Sequence, residues 1–269
     1  MYLARAAAQF AARLTLAALL PLMLGSAAPT PLLSVTDPAG DAQGDGSYQL
    51  PARPTMNASQ FDLRALQVQD IGGKLQLAVT LGSVGNPWNA PAGFSGVVLD
   101  VFIKTGPGGA SALTGLGLRV PGDSGWQEHY RVNGFGRQHF RVDGAGKPVP
   151  QPDAPGVKLD GTELILTTNL EAGSYSYWVT SSLYTPLGKD GFWRPGGDSG
   201  TNDLRSARAG SPAPLDVLLA GDQRPIYTSG VLPGVGQVID VRALTLLGIA
   251  AAGLIVAIIA GIVAWRRHS

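Results

Sequence analysis

After the pair Gly72-Gly73, Leu75, Leu77, Val79 and Leu81 alternate with Lys74, Gln76, Ala78 and Thr80. A period of two places one set of side chains on one face of an extended strand, so the segment commits to a half-buried sheet. Before the glycines, Phe61, Leu63 and Ala65 alternate with Asp62 and Arg64. Together the runs predict a hairpin closed at Gly-Gly. Val97 to Lys104 is more continuously apolar and predicts a buried central strand. Asp100 interrupts it, and a carboxylate there needs a hydrogen bond or an ion pair. Further strands are predicted at Leu116–Val120, Glu128–Val132, Gln138–Val142, Glu163–Thr168 and Ser174–Thr180. No long stretch between these shows helical spacing. Gly 37 and Pro 20 make about a fifth of the 269 residues, too many for a helical bundle and too aperiodic for collagen. The fold class expected is all-β, a sandwich or barrel spanning residues 34 to 227, with Asp143–Gly156 as a long loop or a minor boundary.

The two ends predict topology. Arg5 and Arg13 precede an apolar run, Leu14 to Leu24, and the small residues Gly25, Ser26, Ala27 and Ala28. This order predicts a signal peptide over residues 1–27, cleaved after Ala27. Ala243 to Trp265 is 23 residues without a charge, followed by Arg266 and Arg267. As a helix it would reach about 34 Å, enough for a hydrocarbon core of about 30 Å. The arginines predict a cytoplasmic tail, residues 266–269, hence a single-pass type I cell-membrane protein with its domain outside. Gly253, Ala257 and Gly261 recur every four residues, a spacing that suits a weak homodimer. An Ala/Gly-rich span also produces it by chance. Residues 228–242 read as a Pro/Gly juxtamembrane linker. Within it Leu232-Pro233-Gly234-Val235-Gly236 is similar to a sortase signal, but Val235 stands where the scissile threonine is needed.

Composition excludes several functions. All 19 acids lie between Asp37 and Asp240 with 15 of the 20 cations, a net of −4 for that span. Nucleic acid is therefore not the expected partner. With Cys 0, disulfides, thiolate metal sites and cysteine nucleophiles are excluded. No nucleophile elbow, zinc-protease motif, P-loop or dinucleotide fingerprint occurs, and nothing aligns a pair of facing carboxylates. The chain reads as a non-enzyme.

Several segments together resemble a known family, the DOMON-like C-terminal domain of glucodextranase. They are Asp37-Pro38-Ala39-Gly40-Asp41 with Gly44-Asp45-Gly46-Ser47-Tyr48, Phe61-Asp62-Leu63, Asn86-Pro87-Trp88-Asn89 with Gly93-Phe94-Ser95, Val98-Leu99-Asp100-Val101, and Gly125-Trp126. Weaker echoes follow at Tyr177 and at Trp193-Arg194-Pro195-Gly196-Gly197-Asp198. The resemblance implies a β-sandwich and a role beside carbohydrate-active enzymes, and does not imply catalysis. Some other DOMON domains hold haem through Met and His. Met56, His129 and His139 lie in polar surroundings without an apolar pocket pattern, so no haem is expected.

Two constellations could carry chemistry. Trp88, Trp126 and Trp193 are flanked by Gly or polar residues, and an indole offers a flat apolar platform for a pyranose face. Asn89, Arg194 and Asp198 could bind its hydroxyls. The alternative is that the tryptophans plug the ends of the sandwich. Asp37, Asp41 and Asp45 fall every four residues in a Gly-rich segment, which suits Ca²⁺ held by carboxylates and carbonyls. The alternative is a solvated loop whose aspartates cap turns. The expectation is a membrane-anchored carbohydrate- or glycan-binding module. A structural or partner-docking envelope protein is the second reading.

Overall fold

The computed structural model describes residues 31–122, 125–188, 190–197, 200–238, 250–251 and 253–254. Its strands, in chain order, are β1 (Pro31–Thr36), β2 (Leu63–Ile71), β3 (Lys74–Leu81), β4 (Val97–Lys104), β5 (Ala112–Leu113), β6 (Leu118–Arg119), β7 (Glu128–Asn133) and β8 (Gly136–Val142). There follow β9 (Pro148–Gln151), β10 (Gly156–Asp160), β11 (Glu163–Glu171), β12 (Ser176–Leu183), β13 (Pro214–Val217), the short helix α1 (Arg224–Ser229) and β14 (Val235–Gly236). Gly72 and Gly73 both hold positive φ, which glycine adopts without a Cβ clash. They turn β2 into β3 with Ile71 opposite Lys74.

One sheet runs β1-β2-β3-β11-β10, and the other runs β13-β12-β4-β7-β8-β9 with β14 also on β12. Neighbouring strands are antiparallel throughout. The sheets face each other. Tyr177, Val179 and Ser181 alternate along one face of β12, and the Ser181 hydroxyl donates to the Phe61 carbonyl at the foot of β2. Leu99, Val101 and Ile103 share that face, opposite Leu66, Val68, Leu77, Val79 and Leu166, all fully buried. Each such side chain contributes about 1.5–3 kcal/mol through removal from water.

In the second sheet β4, β12 and β13 are buried on both faces, because loops cover their outer side, while β8 and β9 are largely exposed. Trp126 and Leu113 beneath the β5–β6 hairpin are buried, as are Phe192 and Leu232. Trp178 Nε1 donates to the Leu232 carbonyl at 3.0 Å. Asp100 projects into this outer layer, where its Oδ1 meets His129 Nε2 and Arg131 Nε, both at 2.6 Å. The ion pair expected for a carboxylate in that strand is therefore present.

Several boundaries differ from those read in the sequence. The predicted loop 143–156 contains β9, an edge strand whose Pro148 and Pro150 carry no N–H and are tolerated only at an edge. Leu116–Val120 contributes only the two residues of β6. β1 starts before residue 34, and β14 lies within the segment read as linker, paired with Ser176 and Tyr177. The predicted signal peptide and tail lie outside the described residues, as do Ala257 and Gly261. Of the predicted span only residues 250, 251, 253 and 254 are described, and they are helical. Among the described residues no helix is long and apolar enough to cross a membrane.

Candidate functional site

Three connections meet at one end of the second sheet, where β4 begins and β12 finishes. The loop before β4 is folded on itself by Asn86, whose Oδ1 accepts from Ala90 N at 2.7 Å and whose Nδ2 donates to Ala90 O at 3.0 Å. Trp88 N donates to Ser95 Oγ at 2.9 Å, and Asn89 takes a left-handed φ of 52°, which asparagine tolerates better than most residues. Ala92 N reaches Gly134 O in the β7–β8 turn at 3.3 Å. A Cβ on Gly134 would lie 1.6 Å from Phe94 O, so the close approach of loop and turn depends on glycine there. The third connection follows β12. Tyr184 N donates to Gly96 O at 2.8 Å and Trp193 N to Leu183 O at 2.9 Å.

This end is rich in rings. Trp88 and Trp193 are half-buried, while Asn89 and Arg194 are exposed. Phe135, at the turn, is 48% exposed and stacks on Tyr184 with centroids 5.4 Å apart. Trp88 Nε1 is shielded from solvent and has no acceptor among the described residues. Arg194 bonds Asp190 at 2.6 Å and lies over the Phe192 ring. Arg131 covers the same ring at 4.4 Å, tying this loop to the ion pair on Asp100. Trp126 does not join the end. It is wholly buried, its Nε1 donates to Ala112 O at 2.9 Å, and it packs edge-on against Phe102 and His129. It is therefore a core anchor and not a platform. Asp198 lies outside the described residues. Phe135 was missed in the sequence, although an aromatic between Gly134 and Gly136 at a hairpin tip was a visible signal.

The second constellation sits where β1 hands over to the Gly-rich segment. One carboxylate oxygen from each of Asp37, Asp41 and Asp216 lies within 4.8 Å of the others. Asp216 is fixed on β13, accepting from Leu63 N at 2.7 Å and Val217 N at 2.8 Å. Asp37 Oδ1 accepts from Leu219 N at 2.6 Å. Asp37 Oδ2 and Asp41 Oδ1 are buried without a hydrogen-bond donor among the described residues. Burial, then Asp37 and Asp41, push Asp216 up to about 9. Burial, with Asp41 and Asp62, pushes Asp37 up to about 7. Arg64, paired with Asp62, lowers Asp37 and Asp41 but is outweighed. Asp45 is not among the three. Partly buried, it is nonetheless held below the ordinary value by Ser47, at 2.9 Å from N and 2.5 Å from Oγ, and by Arg208 at 3.5 Å. Asp216 takes its place, on a strand that the spacing of the first three aspartates could not reveal.

The two described histidines are committed elsewhere. His139 is held by Glu128 at 2.7 Å through Nε2 and by Asp153 at 2.8 Å through Nδ1. His129 is stacked between Phe102 and Phe140.

A family model described as the C-terminal binding-module, SLH-like, of glucodextranase matches residues 32–171. That interval runs from β1 through β11 and holds Asp37, Asp41 and the Trp88 loop; Trp193 and Asp216 lie beyond it. No curated protein matches the chain. The match takes in more than half of the sequence, and the chain belongs to the family of glucodextranase C-terminal, SLH-like binding modules.

Proposed function

We propose that this protein is a non-catalytic glycan-binding module, displayed outside the cell on a C-terminal membrane anchor, with its sugar site at the aromatic end of the second sheet. The observation that carries the reading is the meeting of three connections there, which bring the segments bearing Trp88, Trp193 and Phe135 to one end of the sheet. Rings of this kind give a pyranose an apolar face to stack on while their polar edges stay wet. Asn89 and Arg194, exposed beside them, offer an amide and a guanidinium to the hydroxyls. Binding loops carried by a rigid sheet are a common arrangement.

Ca²⁺ at Asp37, Asp41 and Asp216 belongs to the same proposal. Oxygen ligands suit a hard cation, and the two buried carboxylate oxygens without donors are what such an ion would satisfy. It would tie the end of β1 to β13 and supply structure, not chemistry. A glycan array probed with the secreted domain tests the first part, and melting with and without chelator tests the second. Silence across the array, with capture of another envelope protein, would favour the docking reading instead.

A further inference from the structure

Beside the Gly44–Tyr48 turn lies an open cleft of about 490 Å³, lined by Gln43, Ser47, Gln49, Arg205 and Ser206 among others. None of the described residues lining it is a carboxylate. Arg205 is anchored through its backbone: its N donates to Gln49 O at 3.0 Å and its O accepts from Gln49 N at 2.9 Å. Gly196 O accepts from Ser206 N at 3.1 Å on the other side.

The Arg205 side chain is unusual in this molecule. Arg64, Arg131, Arg141, Arg194, Arg208 and Arg224 each pair with a carboxylate. Arg53, Arg119 and Arg137 are exposed to water. Among the described arginines Arg205 alone is half-buried with no carboxylate beside it, and its Nε is shielded from solvent with no acceptor. Asp45, the acid within the adjoining turn, is committed to Ser47 and Arg208. The buried Nε–H without an acceptor is costly, while the half-buried side chain leaves the rest of the guanidinium open to a ligand. The group that suits it best is an oxyanion, a carboxylate or a phosphate, met by two parallel N–H bonds. Around it, the amides of Gln43 and Gln49 make no side-chain hydrogen bond among the described residues and can each donate and accept, which suits vicinal hydroxyls.

We propose that this cleft is a second subsite that takes an acidic saccharide, its carboxylate or phosphate seated on Arg205 and its hydroxyls on Gln43 and Gln49. The inference rests on the reading of the protein as a glycan binder, and deepens it by assigning charge selectivity to a residue outside the aromatic end.

The test is calorimetric titration of the full chain with three probes: oligogalacturonate, glucose 6-phosphate and a neutral gluco-oligosaccharide. An acidic probe should bind more tightly than the neutral one and weaken as salt is raised. R205Q should weaken the acidic probe by about tenfold or more while leaving the neutral one unchanged. R205K, which keeps the charge without the fork, should fall between. The stronger of the two acidic probes identifies the oxyanion. Equal binding of acidic and neutral probes overturns the inference and leaves the glycan reading intact; failure of all three overturns both. Should R205Q not fold, R205K decides, and acidic binding unchanged in a variant that melts like the parent overturns the subsite.

Discussion

Replacing Arg131 by Met tests how the outer layer is held to the sheet. Arg131 Nε lies 2.6 Å from Asp100 Oδ1, its Nη2 donates to Thr114 O at 3.0 Å, and its guanidinium covers Phe192. Asp100 is fully buried. Burial pushes its carboxyl up, but Arg131 and His129 outweigh that and hold it below the ordinary value. Burial holds His129 below its own ordinary value, so a neutral imidazole donates to Asp100 and Arg131 is the counter-charge. Methionine keeps most of the stem and removes the charge. Breaking a buried pair from one side costs about 3–5 kcal/mol. The pH dependence should change as well. In the parent, a depressed His129 makes stability fall as pH drops below about 6.5 towards the folded value. In Arg131→Met one of the influences that lower the His129 pKa is lost while burial and Asp100 remain. Its pKa then rises relative to the parent, and less stability is lost as pH drops. Urea denaturation at about pH 5.5 and about pH 8 should therefore show a smaller penalty at the acid end. Asp100→Asn in the Arg131→Met background should recover most of the loss. A penalty below about 1 kcal/mol with the parental pH dependence would refute this account of the pair.

Chelator should lower the melting temperature of the parent and leave Asp216→Asn unaffected; a parental melting curve that ignores chelator discards the cation. His139 should make stability fall as pH rises through its folded pKa. Burial alone would depress that pKa, but Glu128 and Asp153 outweigh it and raise it above 6.5. His139→Gln should remove this alkaline slope in denaturant titrations. Trp126→Ala should cost about 3–5 kcal/mol of stability, whereas a small change in denaturation midpoint would return Trp126 to the list of platforms. Gly134→Ala should displace the Trp88 loop and weaken glycan binding with a modest loss of melting temperature; unaltered binding would show that the loop's position does not matter.

Legibility in the sequence followed the range of the interactions. The β2–β3 hairpin and β4 were readable because period-two alternation and a glycine pair are local signals. β9 was hidden by its prolines, and β13 by its length, since Pro214–Val217 is too short to show a period. The outer layer of loops was not readable at all, and that is why Trp126, flanked by Gly125 and Gln127, looked like a surface residue. Asp37 and Asp41 announced themselves by spacing. Asp216 joins them only through the pairing of β13 with β12, and Asp45, equally well spaced, is drawn off by Arg208. The Trp88 and Trp193 segments could be named from their chemistry, but their common location comes from backbone bonds to Leu183 and Gly96.

The central claim is that the aromatic end binds glycan. The direct measurement is the affinity of the parent, Trp88→Ala, Trp193→Ala and Phe135→Ala for the best ligand from a glycan array, with melting recorded on the same samples. Each truncation is expected to weaken binding by about tenfold through the lost stacking face, with most of the melting temperature retained. Undiminished affinity in all three variants, or an array on which the parent binds nothing, would contradict the account.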